Sequence, residues 1–196
     1  MPRTKQFDRE EVLQKAMELF WKKGFHATSI QDLVTHLGIN RASMYDTFGG
    51  KDQLFRESLQ YYRQLNSIKL RSIEKILESQ SAHSFLDNFF AIELQNLKKD
   101  KDYKGCFVVN TTTELANQST DILQLLRGNM KGAVKMFSRI IEIAQEKGEV
   151  SSDRSAEAIG RHLFTFFNGL KVVAKIETNQ KKLAELIEEE LSWIFG

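Results

Sequence analysis

The chain has 196 residues, 41% of them hydrophobic, so it is long enough to bury a core of its own. Its net charge is only +2, so composition does not indicate nucleic-acid binding, and only a local sequence pattern can do so. The single cysteine, Cys106, excludes an internal disulfide. No apolar segment follows Met1 and no apolar run approaches the roughly 20 residues that span a bilayer, so we expect a cytoplasmic protein with no membrane contact.

Composition favours helices throughout. The only proline is Pro2, and Leu, Glu, Lys, Gln and Phe are abundant. We predict an all-α fold of about nine helices, with a three-helix head in residues 1–52 and a larger helical body in residues 53–196.

Three amphipathic segments form the predicted head. The first covers about residues 8–23, before Gly24, and carries apolar residues at spacings of three and four. The second opens at Thr28, which stands three residues before Gln31 as in a capping box. Gly38 ends that helix, and Asn40 is suited to cap a third helix that runs to about Thr47.

Apolar spacing also predicts the helices of the body. One helical run extends from Lys51 to about Glu78, and Ser84 with Asp87 suits the start of the next helix. Further helices are predicted over about residues 84–98, 119–147, 154–177 and 180–195.

The segment from Cys106 to Thr113 is rich in β-branched residues and by propensity alone favours a strand. A single strand without a partner leaves its backbone groups unpaired, whereas a helix pairs them internally. We therefore predict a helix here as well.

The second and third head helices, joined through Gly38, have the layout of a helix-turn-helix. We expect Ile39, Met44 and Phe48 to pack the third head helix against the first two. The opposite face is then available for a DNA major groove, and its residues are Arg41, Ser43, Tyr45 and Asp46. A plain pair of antiparallel helices in a bundle has the same pattern, so spacing alone leaves both interpretations open.

The stretch from Thr28 to Leu54 resembles the DNA-binding signature of TetR-type transcriptional repressors. The matching positions are Thr28, Ile30, Asp32, Gly38, Ile39, Tyr45, Phe48, Lys51 and Leu54. The resemblance implies an all-helical homodimer that binds a palindromic double-stranded operator and responds to a small-molecule effector, most commonly as a repressor. We expect no enzymatic activity and no cofactor.

The resemblance assigns roles within the head. It implies that Thr28, Tyr45 and Lys51 hold DNA phosphates, and that Thr47 occupies another phosphate-facing position. It implies that base edges are reached by Arg41, Ser43 and Asp46. Chemistry agrees, because a helix N-terminus attracts an anion, and arginine can donate two hydrogen bonds to one guanine.

Aromatic residues of the body can line an apolar effector pocket, although each one alone is equally well explained as core. These residues are Phe89, Phe90, Phe107, Phe137, Phe164, Phe166 and Phe167. Polar groups for such a pocket are available from Asn110, Thr113, Glu114 and His162.

Cys106 is a further candidate for the sensing site. It follows Gly105 at a predicted helix start, with Lys104 beside it and Lys171 and Lys175 on a helix that can pack nearby. Cationic groups and free helix N–H groups stabilise a thiolate, which reacts with electrophiles and oxidants. An inert buried thiol is the alternative.

The resemblance also implies that the last two helices form the dimer interface. The residues expected there are Leu163, Phe166, Val173, Leu183, Leu186, Ile187, Leu191 and Ile194.

Two other classes of function remain possible from the residues themselves. An enzyme is disfavoured because no nucleophile elbow, zinc-protease motif, paired cysteine motif or phosphate-binding glycine loop is present, and we expect no catalytic or metal site. A helical protein-protein adaptor or small-ligand-binding bundle without DNA binding remains an alternative.

Overall fold

The structure is a computed structural model that describes residues 7–67, 70–100, 102 and 104–196, with only the backbone of Leu70. Over these ranges the chain forms helices and no strands, which confirms the all-α prediction. The helices are α1 (Arg9–Lys23), α2 (Ile30–Leu37), α3 (Arg41–Phe48), α4 (Lys51–Leu65), α5 (Leu70–Ser79), α6 (Ala82–Lys99), α7 (Phe107–Leu115), α8 (Thr120–Glu146), α9 (Ala156–Val173) and α10 (Gln180–Phe195).

The chain divides into two compact units. The first unit is Met1–Ser67 with Asn110–Leu123, and the second is Ile68–Val109 with Gln124–Gly196. The first unit therefore includes all of α4 and a segment that is distant in sequence. The domain boundary at residue 52 stays a prediction.

The first unit is built around α1 and α4. The Phe20 and Phe55 rings meet edge to face with centroids 5.0 Å apart, and both side chains are buried. Trp21 and Tyr62 make a second such contact, also at 5.0 Å. This aromatic packing stabilises the α1–α4 pair, because ring contacts add to the free energy of apolar burial, and α2 and α3 pack against that pair.

The core of the second unit is drawn from α5, α6, α8, α9 and α10. Its fully buried side chains include Leu86, Phe90, Phe137 and Leu163. Ser138 touches the backbone of Gly160 so closely that a Cβ there would lie 2.7 Å from the Ser138 nitrogen. Glycine at position 160 therefore permits the close approach of α8 and α9.

The second helix begins one residue later than the sequence predicts. Its cap is Ser29, whose hydroxyl accepts a hydrogen bond from the Asp32 N–H at 3.0 Å, while the Asp32 carboxylate accepts from the Ser29 N–H at 2.9 Å. The capping box predicted for Thr28 and Gln31 is therefore wrong. Thr28–Gln31 and Ser29–Asp32 have the same spacing in the sequence, but Thr28 is completely buried and the second pair forms the box.

The start of α6 also differs from the prediction at Ser84. The cap is Ser81, whose hydroxyl accepts from the Ser84 N–H at 3.1 Å. The Glu149 carboxylate accepts from the Ala82 N–H at 2.7 Å. A partner 67 residues away in sequence thus satisfies a donor of the first turn, so the helix starts earlier.

The helical run predicted from Lys51 to about Glu78 is interrupted. Helix α4 ends at Leu65, where the Asn66 side-chain amide donates to the Tyr62 carbonyl at 2.8 Å and the Ser67 hydroxyl donates to the Gln64 carbonyl at 3.0 Å. Asparagine and serine compete in this way for terminal helix carbonyls. The described part of the chain therefore has ten helices, where about nine were predicted.

The β-branched segment is helical, which confirms the prediction against propensity. Helix α7 spans Phe107–Leu115. Three of its side chains at spacings of four, Phe107, Thr111 and Leu115, are buried. Burial at this period outweighs the small helix penalty of β-branched residues.

Candidate nucleic-acid interface

The turn between α2 and α3 is closed at both ends by local hydrogen bonds. Gly38 adopts the left-handed conformation (φ 67°, ψ 26°), and its N–H donates to the Val34 carbonyl at 3.1 Å. The Asn40 side chain accepts from the Ser43 N–H at 2.8 Å and so begins α3. A side chain at position 38 would be strained in this conformation, which explains the glycine.

Helix α3 has one buried face. Met44 and Phe48 are almost fully buried, and Ile39, just before the helix, is 9% exposed. These are the anchoring residues that the sequence predicted, and their burial confirms that prediction. The rotation of α3 about its axis is therefore fixed by packing within the first unit.

The other face of α3 is open to solvent. Arg41, Tyr45 and Asp46 are exposed, and Ser43 and Thr47 are half-buried. The Arg41 guanidinium carbon lies 5.8 Å from the centre of the Tyr45 ring. The structure thus brings the sequence-predicted α3 residues together on one accessible surface.

Lys51 stands beside this surface as the first residue of α4. The preceding cap residue is Gly50, which has no side chain that could accept hydrogen bonds from the first turn. A Cβ on Gly50 would lie 3.4 Å from the Tyr45 Cε1 atom, so the Tyr45 ring rests close to this backbone. A helix start with an adjacent lysine and tyrosine suits an anion.

Thr28 differs from the other predicted phosphate-binding residues because its side chain has no exposed surface. Its hydroxyl donates to the Gly24 carbonyl at 2.6 Å, and its N–H donates to the Phe25 carbonyl at 3.2 Å. In this structure the two hydrogen bonds of Thr28 stabilise the turn between α1 and α2.

Most of the predicted aromatic effector residues form one cluster in the second unit. Phe89 packs against Phe90 at 5.4 Å and Phe137 at 5.8 Å between ring centroids, and Phe90 meets Phe166 at 5.5 Å. Phe167 joins the same cluster, 5.3 Å from Phe89. Phe90 and Phe137 are fully buried, whereas Phe89, Phe166 and Phe167 are only partly buried.

Cys106 is buried immediately before α7, and Phe107 is buried beside it. A Cβ on Gly105 would lie 3.0 Å from the Cδ atom of Lys175, so the lysine stem covers the backbone next to the cysteine. Lys171 instead pairs with Glu93 at 3.2 Å. Of the two lysines that the sequence singled out on α9 and after it, Lys175 is therefore placed against the Cys106 segment.

The predicted polar effector residues are divided between the two units. Asn110, Thr113 and Glu114 belong to the first unit. His162 belongs to the second, where its Nε2 atom lies 2.8 Å from the Glu190 carboxylate and its ring 4.6 Å from that of Trp193.

Glu114 makes a contact that sequence reasoning missed. Its carboxylate accepts hydrogen bonds from the N–H groups of Phe25 and His26. No local pattern signals this pairing, because the partners are backbone groups about 90 positions away. The turn itself is signalled by Gly24-Phe25 after the first helix.

The prediction of the dimer interface is wrong for several residues, because they pack in the core of their own unit: Leu163, Leu183, Ile187, Leu191 and Ile194. The exposed apolar residues on or beside α9 and α10 are Val172, Val173, Ile176, Leu186 and Trp193. Apolar spacing predicted the apolar residues of these helices but did not distinguish those that face the core from those that are exposed.

No helix among the described residues is long and apolar enough to cross a membrane. In the same part of the chain, no cluster of three or more His, Cys, Asp or Glu side chains is arranged to hold a metal ion.

Comparison with known proteins identifies the class. Residues 12–58 match the family model described as bacterial regulatory proteins, tetR family, and residues 84–189 match the model for the Tetracyclin repressor-like C-terminal domain. The chain is 30% identical over 185 residues to the HTH-type transcriptional repressor ComR of Escherichia coli, covering 94% of this chain and 87% of ComR. It is 28% identical over 193 residues to YezE of Bacillus subtilis, an uncharacterised HTH-type transcriptional regulator, covering 98% of each.

A solved structure gives the same result. A cysteine mutant of the TetR family transcriptional regulator CifR, complexed with 26 bp double-strand operator DNA, superposes with a TM-score of 0.79 at 26% identity, covering 97% of this chain and 98% of CifR. The fold and these matches define a helix-turn-helix regulator of transcription. The chain belongs to the TetR family, whose members function as dimers that bind DNA and small-molecule effectors.

Proposed function

We propose that this protein represses transcription by binding a near-palindromic operator as a homodimer, and that it leaves the DNA when its body senses a small molecule. The observation that carries the proposal is the two-sided character of α3. Met44 and Phe48 hold one face rigidly, while Arg41, Tyr45 and Asp46 are exposed on the other. Such a helix can enter a major groove without rearrangement.

Within this interface we assign two kinds of contact. Lys51, Tyr45 and Thr47 bind phosphates, which position the protein without reading sequence. Arg41, Ser43 and Asp46 read base edges, with Arg41 donating to a guanine and Asp46 accepting from a cytosine. The buried hydroxyl of Thr28 supports a positioning role for that residue, in place of the phosphate contact implied by the resemblance.

The dimer is proposed to form through the exposed apolar residues of α9 and α10 and the segment that follows α9. Val172 and Val173 lie at the end of α9 and Ile176 lies in the turn that follows it, while Leu186 and Trp193 are seven positions apart on α10. A two-fold dimer that reads two half-sites on one face of a duplex needs recognition helices about 34–36 Å apart, or a multiple of that distance, and its operator is near-palindromic.

The test is selection of DNA fragments from a random pool by the purified protein, followed by mobility shifts of the selected duplex at several salt concentrations. A near-palindromic consensus whose affinity falls steeply with salt supports the proposal. Failure to select any sequence, with only non-specific retention, favours the adaptor or ligand-binding bundle.

We also propose that the protein catalyses no reaction and is cytoplasmic. Its membership of a family of transcriptional regulators supports both proposals.

For the sensor we propose the second unit, with the aromatic cluster as the apolar wall and Cys106 as a reactive group. The cluster comprises Phe89, Phe90, Phe137, Phe166 and Phe167. Cys106 directly precedes α7 and lies beside the buried Phe107, which supports its assignment to the sensing segment. The stem of Lys175 against Gly105 brings a cationic side chain to the same segment.

With hydrogen peroxide, the Cys106 thiolate attacks one peroxide oxygen, the O–O bond breaks, and a sulfenic acid forms while the other oxygen leaves as hydroxide and takes up a proton as water. The test compares DNA release by peroxide from the wild type and from Cys106→Ser. Release from the wild type alone supports Cys106. Equal sensitivity in both proteins, or none in either, leaves the aromatic cluster as the sensor.

A further inference from the structure

The turn between α1 and α2 is held by a carboxylate from a distant part of the first unit. The Glu114 Oε2 atom accepts a hydrogen bond from the Phe25 N–H at 3.0 Å, and its Oε1 atom accepts one from the His26 N–H at 2.8 Å. Both oxygens of one carboxylate thus bind two consecutive backbone donors. Hydrogen bonds to an ionised acceptor are stronger than those between neutral groups.

The backbone of the turn is shaped to receive this carboxylate. Gly24 has φ +83°, and a Cβ at this position would lie 3.1 Å from Glu114 Oε2 and 3.2 Å from Oε1. The missing side chain leaves the space that the carboxylate fills. The Phe25 and His26 N–H groups lie beyond the end of α1, where no helix carbonyl is provided for them, so an outside acceptor stabilises the turn.

The same turn carries groups that the DNA interface uses. The Gly24 carbonyl accepts from the Thr28 hydroxyl at 2.6 Å just before α2 begins. The Phe25 ring packs against Phe55 at 5.0 Å and lies 4.2 Å from the Lys51 ammonium nitrogen. A shift of the turn therefore displaces both the support beneath Lys51 and the start of the helix-turn-helix.

We infer that Glu114 is a positioning residue for DNA binding: it holds the α1–α2 turn so that Lys51 and α2 stand correctly at the phosphates. The inference rests on the proposed function of the head. It places a determinant of DNA affinity in the segment Asn110–Leu123, outside the residues 12–58 that match the DNA-binding family model.

Long-range electrostatics alone predicts the opposite effect of removing this carboxylate. DNA is an anion, so a variant that is less negative by one charge should bind it slightly more tightly. A positioning role instead predicts weaker binding when Glu114 is neutralised. The sign of the change therefore separates the two explanations.

The experiment measures affinity for the duplex that the wild-type protein selects, as a function of salt, for Glu114→Gln, Glu114→Ala and the control Asp121→Asn. The control makes the same charge change within the same segment, at a side chain that is 66% exposed and paired with Arg56. We expect Glu114→Gln to bind about tenfold more weakly, because its amide keeps one acceptor and opposes the second N–H with a donor. We expect Glu114→Ala to bind more weakly still and to flatten the salt slope by about one unit, as for one lost phosphate contact. Asp121→Asn should bind slightly more tightly than the wild type, as its charge change alone predicts.

A double-mutant cycle with Lys51→Ala tests the route of the effect. If Glu114 acts through Lys51, the loss in the double variant is smaller than the product of the single losses. Multiplicative losses, or wild-type affinity and slope in Glu114→Ala, overturn the inference. Thermal unfolding of each variant without DNA identifies any loss that comes from global unfolding, and the isosteric Glu114→Gln keeps the test decisive if Glu114→Ala does not fold.

Hydrogen exchange of the Phe25 and His26 amides in the DNA-free protein provides a separate readout. We expect faster exchange in both Glu114 variants and wild-type exchange in Asp121→Asn. If the amides are protected but the wild type binds no DNA, the proposed function fails and Glu114 only stabilises the turn. If the wild type binds DNA and exchange is unchanged in Glu114→Ala, the positioning role fails and the proposed function stands.

Discussion

The ammonium nitrogen of Lys51 lies 4.2 Å from the centre of the Phe25 ring, and this contact joins the first turn of α4 to the turn after α1. Cation–π attraction of this kind contributes about 0.5–1 kcal/mol at an exposed site and limits where the lysine can point. The charge of Lys51 is thereby held over the Phe25 ring, in a contact that involves no anionic group.

Lys51→Ala should weaken binding to all DNA sequences alike, because a phosphate contact carries no sequence information. The plot of log affinity against log salt should flatten by about one unit. Lys181→Ala makes the same charge change at an α10 side chain that is 85% exposed, and it serves as the control. An unchanged salt slope in Lys51→Ala would show that this lysine does not contact DNA.

Arg41→Ala should cost about 1–3 kcal/mol at one base position and relax the preference there, because its guanidinium is expected to read a guanine. Fragment selection with the variant measures this directly. The other positions of the consensus should stay as in the wild type. Selection of an unchanged sequence would mean that α3 meets DNA with a different face.

Ser29→Ala should lower the free energy of unfolding by about 1 kcal/mol, the usual cost of losing a helix cap. Gln31→Ala, which removes the partner of the capping box that was predicted from sequence, should have a much smaller effect. Urea unfolding of both variants at neutral pH makes the comparison. A larger loss in Gln31→Ala would restore the predicted cap at Thr28.

Acid should weaken the start of α2. The Lys23 ammonium, 2.9 Å away, holds the pKa of Asp32 well below its usual range, and hydrogen bonds from the Ser29 N–H and hydroxyl act in the same direction. Because the folded-state pKa is depressed, the stabilisation is present above the ordinary value of 3.8 and is lost as pH falls through the folded-state pKa. The difference in free energy of unfolding between the wild type and Asp32→Asn should therefore shrink as the pH is lowered from neutrality to below 3.8, as measured by urea unfolding. A constant difference would contradict the assignment.

Gly169→Leu should weaken dimerisation without unfolding the protomer. A Cβ at this exposed α9 position meets nothing within 4 Å, so the protomer has room for a side chain. Positions 172 and 173 lie three and four residues after 169 on α9, which places the new leucine beside the proposed interface. Sedimentation should detect more monomer of 22.6 kDa than in Gly128→Leu, a control on α8 with equally open space. Equal dimerisation of the two variants would move the interface elsewhere.

The local sequence was sufficient to predict features that depend on residues a few positions apart in one helix or turn. Apolar spacing identified the buried face of α3, and the glycine at 38 located the turn before it, because both depend on neighbours within a few residues. The same logic identified α7 as helical, since a lone strand has no partner for its backbone. The family resemblance then supplied the function.

Only the tertiary structure decided which of several equivalent local solutions is used. Thr28 and Ser29 both stand three residues before a possible capping partner, and the burial of Thr28 leaves Ser29 as the cap. Apolar stripes on α9 and α10 did not reveal that Leu163 and Ile187 face the core of the second unit. Glu114 looked like a polar residue for a pocket, yet it binds the backbone of Phe25 and His26. For Leu163, Ile187 and Glu114 the deciding partners lie far along the chain, and burial and long-range hydrogen bonding leave no periodic signal in the sequence.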